Sequence, residues 1–310
     1  MFGRVLAIAM NTYREAVRAR VLYGLLAAAL ATSLYSVLVA TLSLRQETRV
    51  VADLGAASLS LYAVLVAIVL GATSLHRELE LKTIFPILTR SLRRHEYVVG
   101  KYLGTLLVLG VFLALDGATV LVILGVMAGQ RIALLASVGA GLVAVLAFAL
   151  LRAKHSRVFV LIPWSALLLA AALVVAEPAG AERRLVAASL TLTFAEVAIV
   201  AAVATLFSSF SSPFLTAIFT FGVFVVGRSA DMLANLPVKV FGEGVRTVGG
   251  ILARVFPNLH LYVPPRPLLL GQALDTPLWS YVLGAALHAA LFATLLLAVG
   301  ALIFRKRDFQ

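Results

Sequence analysis

Apolar runs of roughly twenty residues, separated by short clusters of charge, recur along almost the whole chain. A helix needs ~20 residues to cross a hydrocarbon core of about 30 Å. Runs of that order lie at roughly 21–44, 54–75, 102–128, 132–151 and 158–176. A sixth ends near 207 after the polar loop Glu177 to Arg184, a seventh covers about 214–227 behind the hinge SSFSSP, and the last covers 279–304. The pattern predicts an all-α, polytopic helical membrane protein with about eight transmembrane helices in one domain spanning residues 1–310.

Three stretches break the pattern. In residues 1–20, Phe2, Val5, Leu6, Ala9, Tyr13, Ala16 and Val17 recur at helical spacing, with Arg4, Asn11, Arg14, Glu15 and Arg18 largely elsewhere on the wheel. Such a helix lies in the membrane interface. The run VLAIAM within it is too short for a signal core and lacks a small-residue cleavage site, so it is expected to be retained. Residues 228–278 hold prolines, glycines and charges. There Phe241, Val245, Val248, Leu252 and Val255 predict a second amphipathic surface helix, ended by Pro257. Residues 76–101 combine acids, bases, a proline and apolar side chains.

Composition agrees with the pattern. Of 310 residues, 62% are hydrophobic and 13% charged, and the mean hydropathy is +1.04; soluble domains are about 45–50% apolar. The net charge of +12 sits at the ends of apolar runs, where anionic lipid headgroups rather than nucleic acid are the expected partner. Cysteine is absent, which excludes disulfides and thiolate chemistry. With eight spans both termini share a side. Assigning that side to the cytoplasm gathers Arg4, Arg14, Arg18 and Arg20 with Arg77, Lys82, Arg90, Arg93, Arg94 and Lys101, and with Arg152, Lys154, Arg157, Arg305, Lys306 and Arg307. The 228–278 segment then faces the opposite side.

Candidate chemistry is sparse. A phosphate-cradling loop requires GxxxxGK and then Ser or Thr. The single Gly-Lys pair, Gly100-Lys101, has His95 at the first glycine's place and Tyr102 after it. Asp116-Gly117-Ala118 resembles the start of a lipid-alcohol phosphotransferase motif without its further aspartates, and His76, His95, His155, His260 and His288 lack metal-ligand spacing. No enzyme activity, cofactor or metal is therefore expected in this chain. Asp116 and Glu196 fall inside predicted spans, where a charge costs at least ~2.5–3.5 kcal/mol. Two readings stay open for them: a substrate or proton path, or a neutral or hydrogen-bonded carboxyl at a helix contact. His288 reads as a packing histidine, and Gly100 with Gly104 forms a GxxxG pair that lets another helix approach.

The stretch LHRELELKTIFPILTRSLRRHEYVVGKYLG, Leu75 to Gly104, resembles the cytoplasmic loop between the second and third spans of type 2 ABC transporter permeases. Glu78 and Glu80 match the family's acidic pair, Thr83 its threonine, Arg90 the first arginine, Arg93 or Arg94 the second, and Gly100-Lys101 the closing pair. Lys82 stands where glycine is usual and Ser91 where proline is usual. More loosely, the N-terminal helix is similar to the family's interfacial helix, and Glu196 with LFSSFSSP to its fourth-span pattern. FPNLHLY resembles the extracytoplasmic loop and FRKRDF the C-terminal ending. Six spans being usual, residues 132–176 look like an inserted helical pair.

The resemblance implies the membrane subunit of an ATP-driven exporter in a bacterial cytoplasmic membrane. It would pair with a second permease chain, as a homodimer, and with separate ATP-binding cassette subunits that hold ATP and Mg. The residues themselves agree: a short helix around Thr83 to Thr89 would present Ile84, Phe85, Ile87 and Leu88 to a partner's groove. Pro86 fits its first turn, and Glu78, Glu80, Arg90, Arg93 and Arg94 would form a charged rim. Two rivals stand beside it: an ion- or proton-coupled transporter using Asp116 and Glu196, and a non-transporting scaffold. No side chain selects a substrate.

Overall fold

The computed structural model describes residues 2–43, 46–80, 93–153, 156–264 and 277–306. Helices account for nearly all of them, and no strand occurs among the described residues. An amphipathic α1 (Phe2–Val17) leads into α2 (Arg20–Thr41), α3 (Glu47–Glu80) and α4 (Arg94–Met127). Then come α5 (Ile132–Arg152), α6 (Arg157–Val175), a 3-10 turn (Glu177–Ala179) and α7 (Ala181–Ser208). After the serine hinge follow α8 (Pro213–Arg228), the short α9 (Ala230–Ala234), α10 (Val238–Val255), a 3-10 turn (Leu259–Tyr262) and α11 (Leu278–Lys306).

Seven of these helices are long and apolar enough to cross a membrane: α2 to α7 and α11. The eighth expected span corresponds to α8, which has only 16 residues, about 24 Å at 1.5 Å per residue. Its start is sharply defined. Ser212 Oγ accepts from Leu215 N at 3.5 Å, and Pro213 occupies the first turn, where a missing N–H is harmless. The amphipathic helix expected before Pro257 is α10, kinked at Gly242, where φ is +79°.

Buried alanines, valines and leucines line α7 along most of its length, and α3, α4 and α11 pack around it. Small side chains let these backbones approach closely, the usual means of helix packing where lipid removes any hydrophobic drive. Hydroxyls add cross-links: Tyr102 Oη donates to Ala198 O at 3.1 Å, and Thr32 Oγ1 lies 2.9 Å from Tyr62 Oη. By contrast α5 buries no residue, and its substantial packing is against α6 alone. Trp164 Nε1 of α6 donates to Leu142 O of α5 at 3.1 Å.

Helix direction follows from these contacts. Gly300 of α11 lies against Leu206, close to the end of α7, so α7 and α11 run parallel. Phe304 at that end stacks on Tyr97 at the start of α4, with centroids 6.2 Å apart, and α1 packs on the same part of α4. The start of α6 joins them, because Tyr13 Oη donates to Val158 O at 3.4 Å. Both described chain ends therefore lie at one end of the bundle, here the near end. Gln130 Nε2, donating to Val175 O at 2.9 Å, marks the far end.

Because α7 finishes at the near end and α11 starts at the far end, the chain between them has to return across the bundle. The return is made in pieces. Arg228, closing α8, ion-pairs with Glu196, about 18 Å short of the near end of α7. So α8 finishes beside the middle of α7. A Cβ on Gly227 would stand 2.6 Å from Pro257 O, because the segment after α10 folds back against the end of α8. That segment ends in the 259–262 turn, wedged between α7, α8 and the first third of α11.

Candidate functional site

The near end is held by one close helix crossing. Gly100 and Gly104, four apart on α4, receive α1. A Cβ at Gly100 would fall 2.7 Å from Ile8 Cβ, and one at Gly104 would fall 2.6 Å from Ala9 O and 2.5 Å from Thr12 Cβ. The partner helix of this GxxxG pair is thus the chain's own α1. Lys101, buried beneath, reaches Glu15 at 3.5 Å and lies 5.9 Å over the Tyr97 ring. Glu96 Oε2 accepts from the backbone N of Arg93 at 3.2 Å, which fixes the first turn of α4. Burial pushes the Tyr13 phenol up to about 12, so it stays a neutral donor to Val158.

This clamp flanks the stretch singled out in the sequence. Arg93 is exposed at its edge. Residues Thr83, Ile84, Phe85, Pro86, Ile87, Leu88 and Arg90 lie outside the described residues, as do the side chains of Glu78, Glu80 and Arg94.

The second locus is inside the bundle. Asp116 on α4 is fully buried, and its Oδ1 accepts from Ser33 Oγ of α2 at 2.9 Å. Its Oδ2 has no hydrogen-bond partner among the described residues. Glu196 on α7, also fully buried, accepts from Ser60 Oγ of α3 at 3.0 Å and from Arg228 Nη1 of α8. The two carboxylates are thus served by different helices, and among the described residues only Glu196 has a cation.

The 259–262 turn brings further polar groups to the same depth. Tyr262 Oη lies 2.9 Å from His288 Nδ1 on α11 and 3.4 Å from Ala285 O. Tyr281 Oη donates to Leu261 O at 2.5 Å, which pins the turn from α11. Outside it, Asn258 Nδ2 donates to Asp231 Oδ1 at 2.8 Å and His260 Nε2 lies 3.9 Å from Asp231 Oδ2. His288, read from sequence as a packing residue, is one half of the Tyr262 contact.

Sequence reasoning singled out the two carboxylates and missed Arg228, Ser60, Ser33 and Tyr262. A signal for Arg228 existed: a buried acid needs a counter-charge, and Arg228 is the basic residue closing the apolar run that follows Glu196. The arrangement can hold α3, α7, α8 and the turn in one register. Among the described residues, no three His, Cys, Asp or Glu side chains are grouped as a metal site.

A third feature is an apolar groove of about 510 Å³ near the α1 clamp, between α1, α4, α6 and α7. In comparison with known proteins, no family model matches the chain and no curated protein matches it.

Proposed function

We propose that this chain is the membrane-spanning permease subunit of an ATP-driven exporter of the type 2 ABC class. It works as a homodimer with separate ATP-binding subunits that dock on residues 76–101 from the cytoplasm. The single observation that carries the reading is the clamp at the start of α4. Because Gly100 and Gly104 lock α1 onto α4, and Tyr97 stacks on Phe304 of α11, a displacement of the segment just before Arg93 moves three helices together. That is what a receiver of force from a partner requires. The near end is then cytoplasmic, and the return crossing by α8 and its following turns counts as the eighth span.

In this reading Ile84, Phe85, Ile87 and Leu88 enter a groove of the ATPase, framed by Glu78, Glu80, Arg90, Arg93 and Arg94. ATP and Mg belong to the partner, and this chain is not itself an enzyme. Replacing Phe85→Asp and Ile87→Asp is expected to abolish stimulation of the partner's ATPase by the reconstituted permease while membrane insertion is kept. Unchanged stimulation sinks the assignment.

One observation favours a different class. A buried Glu196–Arg228 pair, with Asp116 holding an oxygen that no donor among the described residues reaches, suits a carrier driven by an ion or proton gradient. Proteoliposomes containing the chain alone separate the two: transport driven by an imposed gradient supports the carrier, and transport only with an ATP-binding subunit and ATP supports the exporter.

A further inference from the structure

We infer that α3 and α7 hold a water site between Asp53 and Ser189, filled from the far end of the bundle and floored by the Ser60–Glu196 hydrogen bond. Two contacts fix the register of this helix pair. Ser60 Oγ donates to Glu196 at 3.0 Å, and a Cβ on Gly71 would stand 2.3 Å from Ala204 Cβ. The two helices therefore run parallel. A step of seven residues makes two turns, so it stays on the facing stripe of each helix.

One such step from Ser60 and Glu196 toward the far end reaches Asp53 on α3 and Ser189 on α7, about 10 Å farther out. Asp53 Oδ1 and Ser189 Oγ are both enclosed, and neither has a hydrogen-bond partner among the described residues. Ser189 as a whole is only 2% exposed. In direct reach the hydroxyl would donate to the carboxylate, so the two stand farther apart than one hydrogen bond. An unpaired buried polar atom costs about 1–3 kcal/mol. A carboxylate oxygen accepts, and a hydroxyl both donates and accepts. Water donates to the first and pairs either way with the second, and it is the usual partner of such groups.

The seam is polar at its mouth. Asp53 feels the charges of Arg49, one turn farther out on α3, and of Glu182 in the first turn of α7. Inward, the buried hydroxyl of Thr193 lies on the same stripe, one turn from Ser189. Beyond Glu196 the seam is shut: Val64, Ala67, Val200 and Ala204 are buried, and the approach at Gly71 leaves no room for water. Water therefore has access from the far side only. The site stands whether or not the chain works with an ATPase.

Silver ion, small enough to follow water, tests it in a chain that contains no cysteine. Ser189→Cys and Thr193→Cys are each reconstituted in sealed vesicles, and silver nitrate is added to one side in chloride-free buffer. Thiol left free is then counted with a fluorescent maleimide after denaturation. Reaction of Glu177→Cys identifies the far side and that of Gly3→Cys the near side. Far-side silver is expected to block both seam thiols, faster than near-side silver by roughly tenfold or more. Ala202→Cys, equally buried but on the opposite face of α7, is expected to stay free. Failure of far-side silver to block either seam thiol overturns the proposal. Equal blocking from both sides overturns the floor at Glu196. Blocking of Ala202→Cys at the same rate shows that silver enters the bundle everywhere, and overturns the assignment to this seam.

Discussion

Glu196 sits at 0% exposure with its cation one-third exposed on a different helix, which makes the pair asymmetric in what each partner risks. Arg228 can turn to water, whereas Glu196 cannot. Removing the cation leaves a buried anion, and breaking such pairs costs about 3–5 kcal/mol. Arg228→Gln is therefore expected to lower stability in detergent by about 3 kcal/mol, the low end because Arg228 is only partly buried. The double variant Glu196→Gln with Arg228→Gln is expected to regain most of it, read from chemical denaturation. Tyr262→Phe keeps the ring and deletes the hydroxyl's contacts to His288 and to Ala285 O, a loss of about 1 kcal/mol. The two carboxylates were legible in the sequence because charge stands out in an apolar run. Their serines were not, because serine is unremarkable there.

At the level of single helices, α1 shows how a local motif finds its partner. The glycine pair at 100 and 104 was legible as a close-approach face, but spacing alone does not say which helix arrives. The answer depends on α1 lying along α4, which places Ile8 and Thr12 over the two glycines. Gly104→Val is expected to force α1 away, since the new Cβ meets the carbonyl of Ala9 at 2.6 Å. Overpacking of this kind costs about 1–3 kcal/mol. Faster hydrogen exchange across residues 2–17, with α7 unaffected, is the expected readout. The same effect on α7 as on α1 would mean global destabilisation instead. The apolar runs marked every span, but α3 and α4 extend beyond theirs, to Glu47–Glu80 and Arg94–Met127. By contrast α8 keeps to its run and is short for a bilayer, its sixteen residues ending at a buried ion pair.

For the molecule as a whole, the contacts divide the described chain into two ends. Gly3 and Ser156 lie with the near end, and Arg131 and Glu177 with the far end. Because the chain contains no cysteine, single replacements give clean reporters. Gly3→Cys and Ser156→Cys are expected to react with an impermeant thiol reagent from one side of sealed vesicles, and Arg131→Cys and Glu177→Cys from the other. Labelling of Gly3→Cys and Arg131→Cys from the same side would refute the arrangement. Sequence patterning carried the all-helical, polytopic class because hydrocarbon admits few backbone solutions. It could not carry the segmented return between α7 and α11, where tertiary contacts replace helix length.

That segmented return also constrains how the protein is made. A sixteen-residue helix ending at mid-depth cannot rest alone in lipid, because its last carbonyls and Arg228 need protein around them. Glu196 is synthesised before it and can receive it at once. The 259–262 turn has to wait, because Ala285 and His288, which hold Tyr262, belong to the last helix. The return is thus not held in place until α11 has been made, and α11 is the part whose arrival closes the far half of the bundle.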